Sequence, residues 1–376
     1  MILHHIALHN FKNIARAELE FSAKVNCLLG DNGMGKSNLL DAIYYLSFCK
    51  SFAGVTDSTL IRRGENFAML EGHYTRRGTE EVISAGMETA SRRRSFRRGG
   101  KEYRRLSEHI GLLPLVMVSP RDMDLINGTG EERRRFIDMV ISQSDTAYLD
   151  RLIRYDKALR QRNIMLREGA TDASLFDAVE MTMSLAGSEI ALRRSNRISS
   201  LSKIFERYYR DIAPDEDSVD LTYAPSIDCA DGNPDTLARV LRDNRRRDSI
   251  IRHTTAGPHR DDLEMSLNML PVRRLASQGQ AKTYSIALRL AQYEFLAEST
   301  SMKPLLLLDD IFDKLDAHRV SHIMQIVSRD SFGQIFITDT NRKHLDTIVS
   351  DIPAADSRLF AVDNGVFSRL DNSNQP

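Results

Sequence analysis

The stretch Leu28–Leu46, LLGDNGMGKSNLLDAIYYL, decides how this chain is read. Gly30, Gly33, Gly35, Lys36 and Ser37 fit G-x-x-x-x-G-K-[ST], and the narrower G-x-x-G-x-G-K-S within it. An apolar strand, KVNCLL, precedes the loop. A helix follows, with Leu39, Ala42, Ile43 and Leu46 at helical spacing. Glycines let the backbone curl so that successive N–H groups converge, those of Asp31, Asn32, Met34 and Asn38 among them. A helix starting at that point adds free N–H groups and the positive end of its dipole. The loop reads as a phosphate cradle in which Lys36 reaches the β- and γ-phosphates of ATP and Ser37 ligates Mg²⁺. A glycine-rich turn with a stray lysine explains neither the strand before it nor the amphipathic helix after it.

KPLLLLDDIFDKLDA, from Lys303, supplies an acidic half. Leu305–Leu308 form a strand apolar on both faces, as in a parallel sheet. Such strands present ligands at their C-terminal ends. Asp309 is placed to hold Mg²⁺, and Asp310 to orient or deprotonate an attacking water. Adjacent strand residues point oppositely, so Asp310 needs the chain to turn as the strand ends. Farther along, LASQGQAKTYSIALRLAQ begins at Leu275 and puts Ser277, Gly279 and Gln280 at a second helix start. SQGQ has no lysine to neutralise phosphate, so it serves best against a phosphate already held by Lys36. If the two sites of one chain face apart, only a second copy supplies that contact, and the product is a two-fold dimer with nucleotide in its interface. The plain alternative is a capped helix with no ligand.

A chain of 376 residues accommodates a large core or two domains. With 28% charged and 41% hydrophobic residues it has an ordinary globular composition. No run approaches the ~20 apolar residues of a membrane span. The opening MILHHIALHNF lacks the pattern of a secretory signal, so no membrane partner and a cytoplasmic location are expected. Cys27, Cys49 and Cys229 are too scattered for a disulfide framework, and no CxxC marks a zinc site.

The formal net charge is +0, which does not itself point to nucleic acid, but 41 of the 52 basic residues are arginine. Arginine suits bidentate phosphate and carboxylate contacts. The stretch SRRRSFRRGGKEYRR contains Arg92, Arg93, Arg94, Arg97, Arg98, Lys101, Arg104 and Arg105, opposed only by Glu102. Its paired glycines predict a hairpin tip, the best DNA-backbone contact in the chain; a solvated strand edge is the alternative. Arg133–Arg135 and Arg245–Arg247 lie beside Glu131, Glu132, Asp243 and Asp248, so helix ion pairing explains them equally well. Aromatic residues do not interleave with these runs, which favours duplex over a single-strand stacking groove.

Together these elements resemble the ATPase heads of the ABC and SMC class. That resemblance implies an α/β fold: an ABC-type P-loop ATPase head with an antiparallel β-subdomain and a largely helical inserted lobe. Ser277-Gln278-Gly279-Gln280 resembles the signature motif and Leu315-Asp316 the D-loop. Within the class the chain resembles the RecF family over almost its whole length. The motifs are LHNFKNI, GDNGMGKSNLLDAIYYLS, LINGTGEERRRFID, YDKALRQRN, AGPHRDDL, ASQGQAKT and LLLLDDIFDKLDAHR. Implied boundaries are 1–125 for the first part of the ATPase lobe, 126–250 for the helical lobe, 251–368 for the part with signature, acid and D-loop, and 369–376 for a flexible tail. Within Glu131–Arg210 two antiparallel helices are expected, separated at Gly169.

The resemblance further implies an ATP-dependent homodimer that binds duplex, gapped or junction DNA. Its slow, DNA-stimulated hydrolysis would act as a switch in recombinational repair and replication-fork maintenance. Lys36, Ser277 and Asp310 would be its catalytic residues. RecR and RecO are implied partners in loading RecA onto single strands, and the location becomes cytoplasmic and nucleoid-associated. Departures from the pattern are visible. Asp339 stands where ABC transporters carry a switch histidine, with Thr338 and Thr340 as stand-ins. Asp310 is one methylene shorter than the usual Glu, which implies slow hydrolysis. No glutamine follows LPLVMVSP, and Ala53 and its immediate neighbours lack the basic residue that many family members carry in the loop after the first helix. A transporter subunit would need a coupling surface, a chromosome clamp hundreds of coiled-coil residues, and a nuclease an Asp/His cluster; the sequence carries none of these signals.

Overall fold

A computed structural model describes residues 1–91, 93–214, 218–229, 231–312, 315, 317–342 and 356–370. Two compact units form, Met1–Asp122 with the described part of Gln292–Pro376, and Met123–Ala291.

The first unit opens with β1 (Ile2–Phe11), β2 (Ile14–Glu20), β3 (Val25–Leu29), α1 (Lys36–Phe48) and the short α2 (Asp57–Leu60). Then come β4 (Phe67–Arg76), β5 (Thr79–Glu88), β6 (Arg94–Arg98), β7 (Lys101–Glu102) and β8 (Leu115–Val118). One sheet runs β2-β1-β4-β5-β6-β7 and is antiparallel throughout. Its strands alternate in burial: on β4, Ala68, Leu70 and Tyr74 face inward, while Phe67 and Met69 face out. This alternation is what an antiparallel sheet with one solvated face requires.

In the second unit, α3 (Met123–Asn127), α4 (Gly130–Ser142), α5 (Thr146–Glu168) and α6 (Ala173–Ile212) are followed by β9 (Val219–Ala224), α7 (Pro234–Asp243) and α8 (Arg245–Ile251). β10 (Asp262–Leu267), β11 (Leu270–Pro271) and α9 (Val272–Leu275) lead into α10 (Gln278–Thr300). The expectation of two helices over Glu131–Arg210 is corrected to three. Asp145 starts a new helix by accepting the Tyr148 N–H at 2.9 Å, which breaks the first stretch. Gly169, at φ 70°, ends α5 as expected. Residues 251–291, expected with the ATPase part, group with the second unit because β10 pairs with β9. Two buried arginines bind this unit together. Arg162 donates to Glu180 at 2.9 Å and Asp248 at 2.6 Å; Arg194 holds Asp138 at 2.9 Å, Asp261 at 3.0 Å and the Pro258 carbonyl at 2.7 Å. YDKALRQRN and AGPHRDDL thus carry the cores of two ion-pair networks.

The chain returns to the first unit with β12 (Leu305–Asp309), α11 (Ala317–Val327), β13 (Ile335–Asp339), β14 (Ser357–Asp363) and β15 (Val366–Leu370). A second sheet runs β15-β14-β3-β13-β12-β8, parallel except at its β15 edge. All five residues of β12 and of β13 are buried, and α1 packs against strands of both sheets of this unit. Strand β15 continues through Arg369 and Leu370, so the expected tail boundary at 369 shifts; residues 371–376 lie outside the described residues. RKHLDTIV, from Arg342, reads as a helix in the strand–helix alternation of this end of the chain; from Lys343 onward it falls outside the described residues, as does Asp316 of the expected D-loop.

Candidate nucleotide site and DNA-contact surface

Between β3 and α1 the chain must turn tightly beside two other segments, and the glycines meet that need. A Cβ on Gly30 would lie 2.2 Å from the Val362 carbonyl oxygen. Gly35, at φ 116°, precedes α1 in a backbone conformation that L side chains rarely adopt. The loop is braced from both sides. Asn13 Nδ2 donates to the Met34 carbonyl at 3.2 Å and Asn13 Oδ1 accepts from Asn38 Nδ2 at 2.8 Å. From the β14–β15 turn, the Gly365 N–H donates to the same Met34 carbonyl at 2.7 Å.

The Lys36 Nζ donates to the carbonyls of Gly30 at 2.5 Å and Asp31 at 2.9 Å. Burial lowers its pKa, against the fields of Asp310, Asp309, Asp339 and Asp31. At the C-terminal end of β12, Asp309 Oδ1 accepts from Ser37 Oγ at 2.7 Å and from Thr338 Oγ1 at 2.8 Å. Burial pushes the Asp309 carboxyl up, opposed by these two hydrogen bonds. Asp310 adopts φ 49°, the left-handed region uncommon outside glycine. Its N–H donates to Thr338 Oγ1 at 3.0 Å. Both carboxylates act on the Lys36 charge, and the left-handed turn at Asp310 breaks the strand alternation there. The cradle, Asp309 and Asp310 are thus gathered at one end of one sheet.

Ser277, Gly279 and Gln280 belong to the second unit. Ser277 Oγ accepts the Gln280 N–H at 3.2 Å, and Gln280 Oε1 accepts the Ser277 N–H at 2.9 Å. This reciprocal pair is a capping box at the start of α10, with Ser277 exposed.

Three residues of the first unit escaped the sequence reading, and a fourth, Thr338, does more than the stand-in for a switch histidine expected of it. Thr338 is fully buried and touches both acids. Asn13 braces the cradle. Lys12 pairs with Asp41 at 2.6 Å, and Asp41 also accepts the Phe52 N–H at 2.6 Å. Arg121 donates to the Ala53 carbonyl at 2.8 Å, so a basic group reaches that loop from beyond β8. Only LHNFKNI could have flagged Lys12 and Asn13; Arg121, and the bonds of Thr338 to both acids, become visible through strand pairing and folding.

The arginine-rich stretch forms the β6–β7 hairpin, with Gly99 at φ 54° and Gly100 at φ 76° in its two-residue turn. Arg93, Arg97, Lys101, Arg104 and Arg105 are exposed. Arg94 and Arg98 are exposed too, but Arg98 forks onto Glu81, its Nε at 2.8 Å, and Arg94 reaches the Cys49 carbonyl at 3.4 Å and Asp57 at 3.5 Å. Arg92 lies outside the described residues. In the other runs, Arg133 grips Asp262 at 2.7 and 2.8 Å, Arg134 the Asp261 carbonyl at 2.7 Å, Arg135 Glu131 at 2.5 Å, and Arg245 Asp177 at 2.5 Å and Glu180 at 2.6 Å. Arg246 and Arg247 are exposed. Among the described residues, no helix is long and apolar enough to cross a membrane.

The sequence profile of the RecF/RecN/SMC N terminal domain matches residues 2–354. The "DNA replication and repair protein RecF" of Bacteroides fragilis is 49% identical over 373 residues, covering 99% of each chain. Its counterpart in Parabacteroides distasonis is 48% identical over 365 residues, covering 97% of this chain and 98% of that one. Among solved structures, that of "the recombination mediator protein RecF-ATPrS in RecFOR pathway" is 29% identical and superimposes with a TM-score of 0.87 over 98% of each chain. With this fold, this cradle and relatives matched end to end, the chain belongs to the RecF family of P-loop ATPase heads.

Proposed function

We propose that this chain is an ATP-driven DNA-binding switch of recombinational repair and replication. The observation that carries the reading is the joined cluster of Ser37, Asp309 and Thr338 beside Lys36, in a chain of the RecF family. Lys36 neutralises the β- and γ-phosphates of ATP, and the backbone N–H groups from Asp31 to Asn38 hold the remaining oxygens. Ser37 Oγ and Asp309 are hard oxygen donors that suit Mg²⁺, which would polarise the phosphoryl group when bound. Asp310 orients or deprotonates the attacking water. Its short side chain and the left-handed backbone it occupies favour slow turnover, as a switch requires.

Ser277 and the start of α10 serve a nucleotide held by a second copy. The motivation is that this helix start has no cationic residue of its own in SQGQ and lies in the unit that lacks the cradle. ATP then favours a closed homodimer and hydrolysis reopens it. Arg93, Arg97, Lys101, Arg104 and Arg105 of the arginine hairpin contact DNA phosphates. Arg94 and Arg98 mainly support the sheet. RecR and RecO are the partners this reading expects, in the cytoplasm and at the nucleoid.

Mass and DNA affinity measured together test this reading, with ADP, ATP and a non-hydrolysable analogue, on duplex, single-stranded and gapped DNA. ATP and the analogue should double the mass and tighten DNA binding relative to ADP. A monomer in every nucleotide state with unchanged DNA affinity refutes the switch.

A further inference from the structure

We propose that the outer face of the antiparallel sheet carries a single-stranded nucleic-acid subsite, a pit that stacks one nucleobase against Phe67 and Met69 with its phosphates on Arg93 and Arg97. This rests on the DNA-binding reading above and names the strand form taken at this face.

In sequence the aromatic residues and the arginines are far apart; the sheet brings them together. Met69 of β4 pairs with Gly86 of β5, and Gly86 pairs with Ser95 of β6. On the next strand, His9 of β1 pairs with Met69. Glycine and serine thus make a low floor in the middle of the sheet. Phe67 and Met69, 39% and 56% exposed, stand on one side. Arg93 and Arg97 stand on the other, and together these residues line a cavity of about 300 Å³. The His9 ring stacks on Phe67, centroids 5.3 Å apart, and braces it.

His9 covers only part of Phe67, and the 39% of Phe67 and 56% of Met69 left exposed remain available to a ligand on that face. A base offers a π-face to Phe67 whatever its sequence. Two carboxylates, Glu88 and Glu102, line the same cavity. They argue against an acidic peptide, and against a duplex laid across the face by charge alone. Binding here must draw on stacking, which requires an unpaired base. The guanidinium side of the pit is left for the phosphates.

Phe67→Ala removes the stacking wall, and Ser95→Leu fills the pit from an outward-facing strand position. Anisotropy of a labelled oligothymidylate and of a duplex of equal length, on the full chain with ATP analogue, measures the ratio of the two affinities. Both variants should lower the single-strand to duplex ratio roughly tenfold, with unchanged melting temperature reporting an intact fold. Wild-type ratios in both variants overturn the subsite while leaving the DNA-binding reading in place. Failure of the unmodified chain to bind either DNA overturns that reading and this subsite with it.

Discussion

The Thr338 hydroxyl donates to Asp309 and accepts the Asp310 N–H, so one oxygen fixes both acids. Thr338→Val keeps the shape and removes that oxygen. The Asp310 N–H is only part-buried, so leaving it without a partner costs about 1 kcal/mol, the low end of the range for a buried donor. We expect ATP hydrolysis to fall roughly tenfold and the Mg²⁺ requirement to rise, with Thr338→Ser restoring most of both; unchanged hydrolysis and Mg²⁺ dependence in the valine variant contradict the role. Lys36, Ser37 and Asp309 were legible because their motif has fixed spacing. Thr338 was legible only as a stand-in for a switch histidine, and its bond to Asp309 is revealed by their pairing across β12 and β13. Buried His109 and half-buried His259 make a pH-dependent contribution. His109 bonds Tyr103 and the Leu46 carbonyl, and His259 bonds Tyr155 and the Thr254 carbonyl. Burial lowers each from 6.5 to about 4. Above 6.5 both folded and unfolded forms are neutral and stability is full; below it the unfolded form protonates first, and stability drains away until about pH 4. Urea unfolding at pH 7 and pH 5 should differ by about 2 kcal/mol per histidine, and His109→Gln with His259→Gln should flatten the difference.

Strand β6 shows why a run of arginines cannot be counted as one surface. Its alternation sends Phe96 into the core and Arg97 to the outer face, while Arg98 forks onto Glu81. Arg98→Ala should therefore cost about 1 kcal/mol of stability, as expected for a half-exposed ion pair, and leave the salt dependence of DNA binding near that of the unmodified chain. Arg97→Ala and Lys101→Ala should each reduce the slope of log affinity against log salt by roughly 0.7–0.9. Equal slopes in all three variants would move the DNA surface elsewhere. The hairpin itself was legible from Gly99 and Gly100, whose turn demands left-handed backbone. The break before α5 was not: Asp145 reads as one more polar residue on a helical pattern until its side chain is seen capping Tyr148. Likewise Arg133 and Arg134 look available for phosphate, and only their grip on Asp262 and the Asp261 carbonyl, far along the chain, shows otherwise.

At the scale of the molecule, the α/β ends and helical insertion were legible from hydrophobic period and motif order. The seam was not, because β10 pairs locally with β9 and draws residues up to Ala291 into the second unit. As a result the cradle and the Ser277 helix start lie in different units, and their cooperation across copies becomes a question about assembly. Ser277→Arg should leave ATP binding by the monomer nearly intact, since the cradle is untouched, yet a bulky cation at the capped helix start should abolish the ATP-bound dimer. Lys36→Met should abolish nucleotide binding and dimerisation while circular dichroism reports an intact fold. Mixing the two supplies the decisive measurement. The Lys36→Met chain retains a sound helix start, and the Ser277→Arg chain a sound cradle. Their mixed dimer has one intact composite site and one doubly broken site. Hydrolysis should recover up to about half the unmodified activity per dimer if one site fires alone, and sedimentation in the same samples reports whether the mixed dimer forms. Normal ATP-driven dimerisation by Ser277→Arg alone would exclude the contact in trans, because no arrangement that needs those N–H groups tolerates the substitution.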